Sequence, residues 1–153
     1  MLESILGYTA TDLLQLIAKK KISSFELLQT CIKQYEKFNS SLNAIVETNF
    51  DDAIKCSQDI DRNFTKKSDL MPFLPLPVGV KDLNDVKGLK TTYGSLLFRD
   101  NLASRDDDVV AQLRKASTVI FGKTNVPEHG FGATTTNPLQ GTTANPFDRT
   151  LSA

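Results

Sequence analysis

All six prolines of this chain lie at or after Pro72, and seven of its eight glycines at or after Gly79. Proline and glycine are the residues that helix interiors tolerate least. The first seventy residues are therefore expected to be mostly helix, and the rest strands, turns and loops. A length of 153 residues suits one domain. Hydrophobic residues at 40% and charged residues at 24% give an ordinary globular balance. Eighteen basic residues offset eighteen acidic ones, so no global charge draws the chain to nucleic acid or to an anionic membrane, and neither is expected as a partner. No apolar run approaches the roughly 18 residues of a membrane span. The first thirty residues lack a basic start followed by an apolar stretch, so no secretory leader is expected. Two cysteines, Cys31 and Cys56, make neither a disulfide framework nor a zinc quartet, and the expected location is cytoplasmic.

Three helices are readable before residue 70. Thr9 or Thr11 can cap one that carries Leu13, Leu14, Ile17 and Ala18. Ser23 to Glu26 forms a capping box, with Phe25, Leu28, Ile32 and Tyr35 recurring behind it on one face. Asp51 and Asp52 precede a third helix with Ala53, Ile54, Ser57 and Ile60. Lys66 to Pro77 reads as a loop, because Pro72, Pro75 and Pro77 prevent a helix.

Beyond that loop the pattern changes. Leu76-Pro77-Val78-Gly79-Val80-Lys81 reads as a buried strand. Asp106 to Asp108 cap a helix that ends at Arg114, Lys115 and Ala116. Thr118 to Phe121 is a second apolar run, stopped by Gly122. Strand, helix and strand in that order make a parallel crossover unit. The remaining thirty residues, rich in Thr, Asn, Gly and Pro, are too long for a casual connection.

Lys81 is the most informative residue. It ends an apolar strand, and ligands of open parallel sheets bind beyond such ends. Desolvation there disfavours an ammonium, and a neutral amine is a competent general base near neutral pH. Taken on the residues alone, the commoner outcome is a lysine with a packed stem and a hydrated head. Gly122-Lys123-Thr124 looks like the tail of a phosphate-binding loop, but position 117, where that motif needs a glycine, is Ser117. His129 is the one histidine and has no neighbours at a metal-ligand spacing, so no metal is expected. No Gly-x-Ser-x-Gly elbow occurs.

Several motifs then follow in order. They are Leu76 to Asp82, Asp85-Val86-Lys87-Gly88-Leu89, Thr91-Thr92-Tyr93-Gly94-Ser95, Asp107 to Val110, Leu113 to Ala116, Gly122 to Glu128, Asn137-Pro138 with Gly141-Thr142, and Asn145 to Asp148. Together with Ile22 to Leu27 and Leu42-Asn43-Ala44, this series closely resembles the N-terminal part of the amidase signature family. The resemblance covers nearly the whole chain, and it implies an α/β fold. N-terminal helices over 1–70 would be followed over 71–153 by part of a mixed, mostly parallel sheet with a long loop. It implies an amide hydrolase with a Ser-cisSer-Lys triad, a small-molecule amide as substrate and no cofactor. Lys81 matches the family's catalytic lysine, which implies that it is held neutral in a dry pocket. Glu128, Gly130 and Phe131 would lie near the substrate channel, where Phe131 either meets an acyl group or tucks onto its own scaffold.

The family pattern continues into a Gly-Gly-Ser-Ser-Gly-Gly motif that carries the bridging serine. The present sequence stops at Leu151-Ser152-Ala153, where that motif would begin, so neither catalytic serine has a counterpart in it. Residues 1–153 are thus expected not to catalyse alone. The alternative is a non-catalytic piece that needs a partner chain, joined through unpaired sheet edges, or a tRNA-dependent amidotransferase subunit. Lys81 and Thr124-Asn125 are expected on one rim of the sheet.

Overall fold

Thr9 and Ser23 open their helices in the same way. Each side-chain oxygen accepts the backbone N–H three residues on (from Asp12 at 3.2 Å, from Glu26 at 3.0 Å), and the acid there accepts the cap residue's own N–H. Both capping boxes use amides that would otherwise lack partners. In the computed structural model, which describes residue 5, residues 7–63 and residues 75–153, they start helices α1 (Ala10–Ala18) and α2 (Ser24–Leu42). Asp61 adds a second clamp from α3 (Phe50–Asn63), accepting from the backbone of Ser24 at 2.8 Å and Phe25 at 3.0 Å. The carboxylate meets the positive end of α2 and ties the two helices together.

Three strands make the main sheet: β1 (Ile45–Thr48), β2 (Pro77–Lys81) and β3 (Val119–Thr124). Their order is β1-β3-β2, with β1 antiparallel and β2 parallel to the central β3. Helix α4 (Asp108–Lys115) connects β2 to β3 and covers one face. There Val80 and Ile120 pack with Val86, Leu89 and Val110, and with Leu113 beside them. Helices α2 and α3 cover the other face, where Val119 and Phe121 meet Leu28, Ile32, Ala53, Ile54 and Ile60. The arrangement is the α/β fold with a mixed sheet that the sequence implies.

Several local expectations change. Residues 45–48, read within a helical layer, form strand β1 instead. Four residues are too few to show a periodicity, and their partner lies roughly 75 residues further along the chain. The strand at Val119 does not stop at Gly122 but continues to Thr124. Gly122 allows close approach of β1, because a Cβ there would stand 2.5 Å from the Glu47 carbonyl oxygen. Asp107 occupies the N-cap of α4 without capping it by its side chain. Its Oδ2 accepts instead from the backbone N–H of Asp85 at 2.9 Å, while Asp106 accepts from that of Lys87 at 2.7 Å. The acids thus fasten the loop after β2 to the start of α4. Of the loop expected from Lys66 to Pro77, residues 66–74 lie outside the described residues.

The polar segment after β3 is folded back onto the molecule. Strands β4 (Thr136–Asn137) and β5 (Gly141–Thr142) form a short antiparallel pair. Asn137 Nδ2 donates to Asn125 Oδ1 and to the Val126 carbonyl, both at 2.8 Å, and Asn137 Oδ1 accepts from the backbone of Leu139 and Gln140. Asn125 Nδ2 donates to Thr143 Oγ1 at 3.0 Å, and Thr143 Oγ1 donates to the Asn43 carbonyl at 2.7 Å. Asn43, in the left-handed region at φ 53° where it ends α2, donates its amide to the Gln140 carbonyl. This chain of amides latches the segment to the end of α2 and the end of β3.

Candidate functional site

β2 and β3 run parallel and finish side by side, with Lys81 opposite Thr124. An added Cβ on Gly79 would touch Thr124 Cγ2 at 2.8 Å, so Thr124 shares the face of Gly79. Residues two apart on a strand share a face, which puts Lys81 there too. The two residues occupy one rim, as expected. Asn125 turns into the amide latch.

Lys81 is exposed, and its ammonium makes no hydrogen bond or ion pair with the described residues. The dry pocket implied around it is not formed by them. A different lysine takes the buried place. Lys123 is 0% exposed and stands 3.1 Å from the Asp82 carboxylate, which is 2% exposed. Its ammonium also donates to Thr91 Oγ1 at 2.8 Å and to the Lys90 carbonyl at 3.2 Å. The Asp82 carboxylate accepts in addition from the backbone N–H of Thr92 and from its hydroxyl. A buried charge is tolerable only when paired and hydrogen-bonded in this way.

An irregularity of β3 against β2 delivers Lys123 to that place. The register of β2 on β3 shifts between Val78 and Gly79, so that Phe121 is skipped, Ile120 faces Val78 and Lys123 faces Val80. The register of β1 on β3 also shifts, between Ile45 and Glu47. A bulge reverses side-chain parity, and here it turns Lys123 toward the side of Val80 and Asp82. The signal in the sequence is a lysine inside an apolar run with an aspartate just past the end of the preceding strand. Ending the run at Gly122 hides it.

Backbone hydrogen bonds carry the construction outward. Asp82 N–H donates to the Thr124 carbonyl at 3.0 Å, Tyr93 N–H to the Asp82 carbonyl at 3.1 Å, and His129 N–H to the Tyr93 carbonyl at 2.7 Å. The turn at Glu128–Gly130 is thereby tied to the residue after Lys81. Gly130, at φ 77°, sits against Leu83, where a Cβ would come within 2.9 Å of Cδ1. The His129 ring stacks on Tyr93 with centroids 6.4 Å apart and meets Phe98 edge-on at 6.0 Å. Burial, and then the carboxylates of Asp85, Asp107 and Asp82, push the Tyr93 phenol above its ordinary pKa. Glu128 is exposed, and Phe131 is 86% exposed, so this aromatic is not tucked onto its own scaffold. A run of backbone bonds thus leads from Asp82, beside Lys81, through Tyr93 to the turn that holds Glu128 and Gly130. No group of His, Cys, Asp and Glu suited to a metal occurs among the described residues, and no described helix is long and apolar enough to cross a membrane.

A protein-family model described as Amidase matches residues 26–153. The chain belongs to the amidase signature family. Among relatives in this family, an acylamidase of Rhodococcus erythropolis is 34% identical over 139 residues, a stretch that covers 91% of this chain and 29% of the relative. A glutamyl-tRNA(Gln) amidotransferase subunit of Salinispora tropica is 31% identical over 142 residues, covering 93% of this chain and 29% of that relative. The crystal structure of a bacterial aryl acylamidase of the family superposes with a TM-score of 0.86 at 25% identity, covering 95% of this chain and 30% of the other. The chain spans somewhat under a third of the length of these amidase relatives.

Proposed function

We propose that residues 1–153 supply the lysine-bearing part of an amide-hydrolysing site. Lys81 is its general base, and the two serines of the triad come from residues not among these 153. In that reading the Lys81 amine takes a proton from the bridging serine, which takes one from the nucleophilic serine. The nucleophile's oxygen bonds to the amide carbon, the C–N bond breaks, and the amine leaves with a proton. Water then cleaves the ester. The observation that carries this is the placement of Lys81: it ends a parallel strand, exposed on the rim, and no described carboxylate is fixed against it. The adjacent carboxylate, Asp82, faces inward to Lys123. Glu128, Gly130 and Phe131 line the approach for the substrate, a small-molecule amide whose apolar acyl part meets Phe131. Two free cysteines suit a cytoplasmic setting.

The test is a chimera. Residues 26–153 replace their counterpart in the Rhodococcus acylamidase, and aryl-amide hydrolysis is followed. Activity is expected, together with a fall of about 10²–10⁴ on Lys81→Ala. An active chimera indifferent to that substitution would overturn the assignment. The 153 residues alone are expected to show no turnover.

A second reading makes the chain a non-catalytic piece that joins a partner polypeptide. Among the described residues, β1 and β2 each pair on one side only, which leaves two open sheet edges. The similarity to an amidotransferase component supports this reading as well. Gel filtration of the purified chain separates the two, since a compact monomer counts against the partnered form.

A further inference from the structure

Resting on the assignment of Lys81 as base, we infer that Lys123 is its positioning residue. The buried Lys123–Asp82 pair clamps the backbone that follows Lys81, so that the Lys81 side chain is presented at the rim. Asp82 is held from several directions. Its carboxylate meets Lys123 and Thr92, its N–H donates to the Thr124 carbonyl, and its own carbonyl accepts from Tyr93. The Lys81 carbonyl accepts from Asn84 N–H at 3.0 Å, which fixes the turn that follows. Successive strand residues point to opposite faces. With Asp82 anchored inward at 2% exposure, Lys81 has only the rim available.

Lys123 is suited to this role and to no direct one. It is fully enclosed, and its three ammonium protons have three acceptors, in Asp82, Thr91 and Lys90. Enclosed in this way, it cannot reach a substrate. Glu47, opposite it on β1, accepts from the Lys90 backbone N–H at 3.1 Å, so that carboxylate too is engaged in holding the segment that wraps the pair. The same pair anchors Thr92, hence Tyr93 and the His129 turn bonded to it. One buried contact therefore sets the position of both sides of the site.

Amide hydrogen exchange by NMR on the 153-residue chain tests this, with Leu28→Ala as a core variant of comparable cost on the opposite face of the sheet. Leu28→Ala is expected to lower protection uniformly. Lys123→Met is expected to lower it at the amides of Asp82, Thr92 and Tyr93 by on the order of 100-fold beyond the fall in α2. The Lys81 backbone ¹³Cα and ¹³C′ signals, assigned with Lys81→Arg and held by the strand and by the Asn84 N–H on the Lys81 carbonyl, are expected to move toward unstructured values in Lys123→Met and to hold in Leu28→Ala. A uniform fall in both variants, or an unmoved Lys81 signal in Lys123→Met, would overturn the inference. Should Lys123→Met not fold, Thr92→Val keeps the ion pair and removes one donor to Asp82. The same local pattern is then expected at about tenfold, and a uniform change would refute it. No substrate enters these measurements, so they can fail while the hydrolytic reading survives, and the reverse.

Discussion

Lys123 and Lys81 stand one register step apart on neighbouring strands, yet their surroundings are opposite. Lys123 is enclosed, ion-paired and hydrogen-bonded on every proton. Lys81 is exposed at the rim and has no partner among the described residues. In the proposed reading, burial is thus a poor guide to which lysine does chemistry. The enclosed one is held in place by the carboxylate and the two oxygens around it, and being held is what a structural charge needs. The rim lysine is the one a reacting group can approach.

Three substitutions sharpen that contrast. The largest effect is expected for Lys123→Met, which leaves the Asp82 carboxylate buried and unpaired. The loss should be about 3–5 kcal/mol in urea unfolding, with most of it recovered in the double variant Lys123→Met/Asp82→Leu. A loss under about 1 kcal/mol would make the buried pair incidental. Next comes Asn137→Ala in the amide latch. It removes one of the two donors to Asn125 Oδ1, the side-chain donor to the Val126 carbonyl and the acceptor of two backbone amides, and about 2 kcal/mol should be lost. Limited proteolysis should then cut preferentially within 132–153, and unchanged resistance there would show that the latch is not what holds the segment. The smallest effect is expected for Lys81→Met, within about 0.5 kcal/mol of the parent, as for a surface site without partners. A large destabilisation would place Lys81 among the structural lysines and erase the difference.

Much of the architecture was legible in the residues. The capping box at Ser23 could be read directly, because its partners lie three residues apart, whereas Thr9 was only one of two candidate caps for α1. The strand at Val80 and the crossover through α4 followed from apolar runs and flanking charge. The ordered motifs pointed to the amidase signature family and to Lys81, and the rim shared with Thr124 followed from parallel topology. Strand β1, the amide latch and the Lys123–Asp82 pair were not legible. Each joins positions far apart in the sequence, and the pair depends in addition on a bulge that reverses which face Lys123 occupies.

The sequence by itself determined where the capped helices begin, that the runs at Val80 and Val119 become strands, and that a lysine closes the strand at position 81. Caps and hydrophobic periodicity act over a few neighbouring residues, so they are written locally. Only the tertiary structure decided which lysine is buried. That choice depends on register and on desolvation, and both are set when β3 slides against β2 and skips Phe121.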